Sequence, residues 1–137
     1  MRIHGVGTDI VRTARVLRLH ERFGSRFLEK AFHPNEAADY LALADARKAT
    51  FLASRWAVKE ALHKALGSKR LLFPDIELVR GDPGSPRGAA PSLRLHGGAA
   101  HYQREKGLHF FVSLSHEEEM AVAFVIAMDA EELSDKS

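Results

Sequence analysis

The sequence predicts an α+β fold in which a small antiparallel sheet packs with one long helix and several shorter ones. Three observations carry this: an alternating stretch at residues 2–10, an unbroken helical stretch from Asp45 to Leu66, and two apolar strand-like runs, HFFVSLSH and MAVAFVIAM, separated only by the acidic turn EEE. With 137 residues and 45% hydrophobic side chains the chain suffices for one core, and we expect a single domain over residues 1–128. The last residues, 129–137, read as a polar, flexible tail. No internal repeat and no long linker divides the chain.

The first stretch, RIHGVGTDI, reads as a strand with Ile3, Gly5, Gly7 and Asp9 on one face and His4, Val6, Thr8 and Ile10 on the other. Its glycine face leaves room for a ligand or another chain to approach the backbone, with the Asp9 carboxylate over open space. An aspartate capping the next helix is the alternative reading, although Thr13 serves that purpose equally well. From Thr13 to about Phe23 the spacing predicts a helix whose buried side is Val16, Leu19 and Phe23. Arg15, Arg18 and Arg22 form a separate stripe, which Arg26 extends if the helix survives Gly24 and Ser25. Between residues 12 and 30 six Lys or Arg oppose two Glu, so this element is either a docking face for something acidic or a solvated surface.

Pro34 opens a short helix over PNEAADYLALA, and Asp45 caps the long one that stops at Gly67. DIELVR and PSLRLH are the next two strands, joined by GDPGSPRGAA, a Gly/Pro-rich segment read as a mobile surface hairpin loop. A short helix over residues 98–106 leads to the final pair of strands.

The stretch FLASRWAVKEALHKAL, residues 51–66, sets charges among alanines, leucines and a tryptophan. On a helical wheel Phe51, Val58, Leu62 and Ala65 form one apolar face, while Ala53, Ala57, Glu60 and Lys64 lie opposite. A helix lined on more than one side must bury some of its charges. Arg55, Lys59 and His63 recur at i, i+4, i+8, a mildly repulsive row that points to a bound anion. Taken alone, the row is more simply a solvated stripe with an ordinary Glu60–Lys64 helix pair.

Lys plus Arg number 20 against 18 Asp plus Glu, a net +2, so the charge matters by its placement and not by its total. The chain has no cysteine, which excludes disulfides, zinc-thiolate sites and cysteine nucleophiles. No apolar run approaches a membrane span and the N-terminus lacks a signal-peptide pattern, so a soluble, cytoplasmic protein without a membrane partner is expected. An organelle reached after removal of a transit peptide stays open.

Three stretches in order, GVGTDIV at 5–11, FLASRWAVKEALHKAL at 51–66 and VSLSH at 112–116, resemble the holo-acyl-carrier-protein synthases, the small single-domain members of the 4'-phosphopantetheinyl transferase superfamily. The resemblance covers nearly the whole chain; where relatives commonly carry RFAAKEA, this sequence has RWAVKEA, which leaves the charged positions untouched. It implies the 4'-phosphopantetheinyl transferase fold and transfer of the phosphopantetheine arm of coenzyme A to a serine of an apo acyl carrier protein, releasing adenosine 3',5'-bisphosphate and serving fatty acid biosynthesis. It implies Mg²⁺ held by Asp9 and Glu60, since a pyrophosphate attacked by a hydroxyl needs a hard divalent ion and that ion prefers carboxylates, phosphate and water. It places Lys64 with the catalytic pair, facing the phosphates. Arg55 and Lys59 match positions at the coenzyme A site, and Ser115 and His116 the place of its 3'-phosphate. His63 matches no functional position and reads as a surface histidine.

Carrier proteins of this kind are acidic, which gives Arg15, Arg18, Arg22 and Arg26 a partner. The resemblance also implies a homotrimer with sites at subunit junctions, Asp9 and Glu60 coming from one copy and Ser115 and His116 from the next. Glu60, a metal-bound hydroxide, or Asp9 through water could each accept the serine proton, and the sequence does not choose. A nucleic-acid-binding module using the arginine helix is the competing reading, but it leaves the other two motifs unexplained, so no nucleic-acid partner is expected.

Overall fold

A computed structural model describes residues 1–67 and 69–130. The elements are β1 (Arg2–Arg12), α1 (Thr13–Phe23), α2 (Ser25–Ala31), α3 (Pro34–Ala42), α4 (Asp45–Ala65), a 3-10 turn (Phe73–Asp75), β2 (Ile76–Val79), β3 (Ser92–Leu95), α5 (Gly97–Lys106), β4 (Leu108–His116) and β5 (Met120–Asp129). Two antiparallel sheets form, one of three strands in the order β1-β5-β4 and one the β2-β3 hairpin. The α+β expectation holds. No described helix is long and apolar enough to cross a membrane.

Strand β5 lies between the outer strands, in register with Asp9 opposite Ala123 and Leu114 opposite the same alanine from the other side. Its inward residues Ala121, Ala123, Val125 and Ala127 are fully buried, and β5 with β1 forms the floor on which α4 rests. Asp129, expected in the tail, is the last residue of β5 and is bonded by Arg2 at 2.9 Å. Residues 131–137, the rest of the expected tail, lie outside the described residues.

The glycine face of β1 is filled by α4, not by a ligand or a second chain. A Cβ at Gly7 would fall 1.8 Å from the Ala61 carbonyl oxygen, and one at Gly5 would fall 1.9 Å from that of Ala65. Strand and helix backbones therefore touch, with only small residues between them. Several local expectations shift as well. Thr13 does not cap α1; its amide and hydroxyl donate to Glu119 O and Glu118 O in the β4–β5 turn. Phe23 is half exposed, because Gly24 at φ +59° breaks the helix and a separate α2 carries Arg26. Asp45 starts α4 without capping it and pairs with Lys48. The segment 81–90 is a run of turns, closed by Ser85 N to Asp82 O and Gly88 N to Ser85 O.

Lys59 requires the largest correction. It is 1% exposed, and its ammonium donates to Glu36 Oε1 at 2.7 Å, to Phe73 O at 2.8 Å and to Ile76 O. A lysine has three donors, and all are used inside the protein, so none is left for a phosphate. Burial draws its pKa down, and Glu36 opposes that pull. Glu36 is equally enclosed: Oε1 also accepts the His33 amide at 3.0 Å, completing the capping box of α3, and Oε2 accepts Leu78 N at 3.1 Å. His63, expected at the surface, is 5% exposed and bonds through Nε2 to Leu71 O at 2.9 Å. Lys59 and His63 of the row thus face inward, and the anion that Lys59 called for is Glu36 of the chain itself.

Two outcomes follow from this packing. Gly7→Ala should destabilise the protein by about 1–3 kcal/mol or more, since backbone must move to admit the methyl group; urea unfolding measures it. Lys59→Met should cost about 3–5 kcal/mol by leaving Glu36 buried and unpaired, and adding Glu36→Gln should recover part of that loss, because the neutral amide still accepts from the backbone. A Lys59→Met protein of unchanged stability would return Lys59 to the surface and to the phosphates.

Candidate active site

Two clusters of functional side chains form on different sides of α4. The first lies where α4 crosses β1, an edge strand. Two residues beyond Gly7 on the same strand face, Asp9 receives Lys64, whose Nζ donates to Asp9 Oδ1 at 3.2 Å and to Thr8 O at 2.9 Å. Lys64 is half exposed, so its third donor faces solvent. Glu60 is partly buried one turn earlier on α4, and its carboxylate has no hydrogen-bond or ion-pair partner among the described residues. The structure therefore brings Asp9, Glu60 and Lys64 to one corner. A charge-paired carboxylate beside an uncommitted one, both oxygen donors, fits a hard divalent ion such as Mg²⁺.

The second cluster is a cavity of about 410 Å³ lined by Arg47, Thr50, Phe51, Ser54, Arg55, Arg80 and His116, with Leu43 and Ala46. Three arginines and a histidine around one space, with no carboxylate among the described lining residues, suit an anion. The Arg55 guanidinium lies over the Phe51 ring, 3.8 Å from its centroid, and donates to Ser54 Oγ at 3.1 Å. Its Nε is buried without a partner. Burial, reinforced by Arg80 and opposed by Glu36 and Asp39, draws the guanidinium pKa down to about 10, so it is charged at neutral pH and gains from an anion.

Arg55 and His116 were expected at a phosphate site, and the cavity contains both. Ser115 is not part of it: Ser115 pairs with the outward residue Val122 and His116 with the buried Ala121, so the two face opposite sides of the sheet. Period-two alternation alone separates them. Arg47 and Arg80 were missed by sequence reasoning. Arg47 sits in the first turn of α4 and Arg80 just after β2, and no spacing relates them to Arg55; only the fold does.

A third basic surface runs along α1 and α2. Arg15, Arg18 and Arg22 are exposed and line a shallow groove with Leu19 and Glu21. Phe23, Arg26, Phe27 and Lys30 line the adjoining depression, and the Arg22 guanidinium lies 5.1 Å over the Phe23 ring. An apolar foot with a cationic rim suits an amphipathic acidic element.

The chain matches the profile of the 4'-phosphopantetheinyl transferase superfamily over residues 5–125. It is 42% identical over 127 residues to the holo-[acyl-carrier-protein] synthase of Dechloromonas aromatica, a match that covers 90% of this chain and 96% of that protein. The crystal structure of holo-[acyl-carrier-protein] synthase from Neisseria meningitidis superposes with a TM-score of 0.80 at 30% identity, covering 93% and 99% of the two chains. The synthase from Bacillus anthracis in complex with CoA (3',5'-ADP) superposes at 0.74 with 31% identity, covering 95% and 100%.

Proposed function

The chain belongs to the 4'-phosphopantetheinyl transferase superfamily, and from that premise we propose that it moves the phosphopantetheine arm of coenzyme A onto a serine of an acidic apo acyl carrier protein, in a Mg²⁺-dependent reaction of fatty acid biosynthesis. The observation that supports this most directly is the pairing, in one small chain, of a carboxylate corner with a separate tri-arginine cavity. Coenzyme A carries charge at both its 3'-phosphate and its pyrophosphate, and such a substrate needs two sites of this kind. The serine oxygen forms a bond to the phosphorus bearing pantetheine, the bond from that phosphorus to the bridging oxygen breaks, and adenosine 3',5'-bisphosphate departs.

Arg47, Arg55, Arg80 and His116 hold the 3'-phosphate end. Asp9 and Glu60 would hold the ion, which when bound supplies charge compensation to the pyrophosphate oxygens. Lys64 keeps two donors on the β1 backbone and Asp9 and offers its third to the leaving phosphate, where charge develops. Arg15, Arg18 and Arg22, with Arg26 and Phe23 at their end, receive the carrier protein. The acceptor of the serine proton stays open among the three groups named from the sequence.

Assembly as a homotrimer accounts for two further observations. The outer face of the three-stranded sheet exposes Val6, Ile10, Phe111, Val122 and Phe124, an apolar surface that a second copy would cover. The carboxylate corner lies at β1 and His116 at β4, the opposite edges of that sheet, so cyclic repetition sets one chain's corner beside the next chain's cavity. The cavity would then come whole from one chain, Arg55 with His116, and Ser115 would face the junction.

Incubation with coenzyme A, Mg²⁺ and apo acyl carrier protein should add one phosphopantetheine to the carrier by mass. Asp9→Asn and Glu60→Gln should each lower the rate by about 100-fold or more without unfolding. Full Mg²⁺-dependent activity in either variant would remove these two residues from the ion site. For the assembly, an inactive Glu60→Gln protein mixed with an inactive His116→Ala protein, after dissociation and reassembly, should regain part of the activity. A fully active monomer by light scattering would overturn the shared site.

A further inference from the structure

Away from both clusters, His33, Glu77 and His96 each present one ligand atom, and the three atoms lie within 4.8 Å of one another. His33 is the N-cap of α3, Glu77 lies in β2, and His96 is the N-cap of α5, so three elements converge. The Glu77 side chain is 9% exposed; His96 Nε2 stands 2.9 Å and His33 Nδ1 3.9 Å from its Oε1. The two imidazole rings stack, with centroids 4.1 Å apart. Asn35 Nδ2 donates to Glu77 Oε2 at 3.1 Å, which orients the carboxylate and leaves Oε1 toward the histidines.

We propose that His33, Glu77 and His96 form a transition-metal site of the zinc class, distinct from the Mg²⁺ corner and not required for the transfer reaction. The donor set decides the metal. Two imidazole nitrogens and one carboxylate oxygen suit Zn²⁺, and Co²⁺ or Ni²⁺ by the same chemistry, whereas Mg²⁺ and Ca²⁺ take oxygen. Metal binding must displace a proton, because His96 Nε2 donates to Glu77 Oε1 at 2.9 Å and gives that proton up to become a ligand. His33 Nδ1 accepts the Asn35 amide at 3.0 Å and so carries a lone pair, not a proton. That capping bond is exchanged for the metal on binding.

The positive end of the α3 dipole disfavours a cation here, and the Glu77 carboxylate offsets it. Asn35 supplies the outer-shell support that metal-bound carboxylates commonly have. The His96 side chain is 32% exposed, which leaves an entry path and room for water as a fourth ligand. With a metal in place the site would clasp the α3 start, the β2-β3 hairpin and the α5 start together.

Tag-free protein, stripped with chelator and titrated with Zn²⁺ against a chromophoric competitor, should bind one zinc per chain and unfold at a higher temperature when loaded. His96→Ala, at a partly exposed position, should abolish both effects, and Asn35→Ala should weaken binding about 10-fold. His109→Ala, at an exposed histidine on β4, should bind as the wild type does, and Mg²⁺ should neither raise the melting temperature through this site nor displace zinc. Transfer activity with Mg²⁺ should be the same in His96→Ala and wild type. Absence of stoichiometric zinc binding by the wild-type protein, or zinc binding that His96→Ala leaves intact, overturns the assignment.

Discussion

The Lys59–Glu36 ion pair fixes how α4 is turned, and the position of every functional side chain on that helix depends on it. At about 100° per residue, Lys59 points roughly opposite to Ala61, the residue that meets Gly7. The helix is therefore held from both sides, its alanines against β1 and its lysine in α3, the 3-10 turn and β2. Between these two contacts the remaining positions have no freedom. Glu60 and Lys64 emerge on one flank beside Asp9, and Arg55 emerges about 140° from Glu60, on the flank that meets Arg80 and His116.

The pair is not a large source of stability, because desolvating two charges cancels most of their attraction. What it does is specify. Any rotation of α4 that moved Lys59 from its three acceptors would bury an unpaired ammonium, and any that moved Ala61 would drive a side chain into the β1 backbone. A helix buried on nearly all sides needs such a device, since hydrophobic contact alone would accept several rotations. The same arrangement explains why the two functional clusters sit on different flanks of one helix and do not meet within the chain.

Element order, the two hairpins and the long helix were legible because each depends on local periodicity and turn residues. The carboxylate corner was legible too, since Gly7 and Asp9 share a strand face and Glu60 and Lys64 share a helix side. Lys59 was not. A wheel marks Arg55, Lys59 and His63 as a row but does not say whether the row faces water or protein, and the carboxylate that answers it lies 23 residues earlier on another helix. The glycines misled for a similar reason: a bare strand face invites close approach, and the chain's own helix makes it. Arg47 and Arg80 carry no mutual spacing, so only tertiary folding assembles the cavity around Arg55. Phe23 fell out of the core because Gly24 turns the chain one residue too early for it to pack.

The histidine cluster and the ion pair are built from the same backbone. His33 lies three residues before Glu36 and donates its amide to that carboxylate; Glu77 stands between Ile76, whose carbonyl receives Lys59, and Leu78, whose amide bonds Glu36. The side chains of His33 and Glu77 thus fix, from outside, the segments that the pair fixes from inside. Anything that draws His33 toward Glu77 shortens the excursions of the α3 start against β2 and keeps the acceptors of Lys59 in place. The hard and the borderline donor sets are separated by α4 itself, because adjacent residues of a helix diverge by about 100°: Lys59 turns toward the histidine side while Glu60 turns toward Asp9. One helix register then serves both sites, and because the Lys59–Glu36 pair and the Gly7–Ala61 contact already fix it, the carboxylate corner keeps its place whether or not the histidines hold a metal.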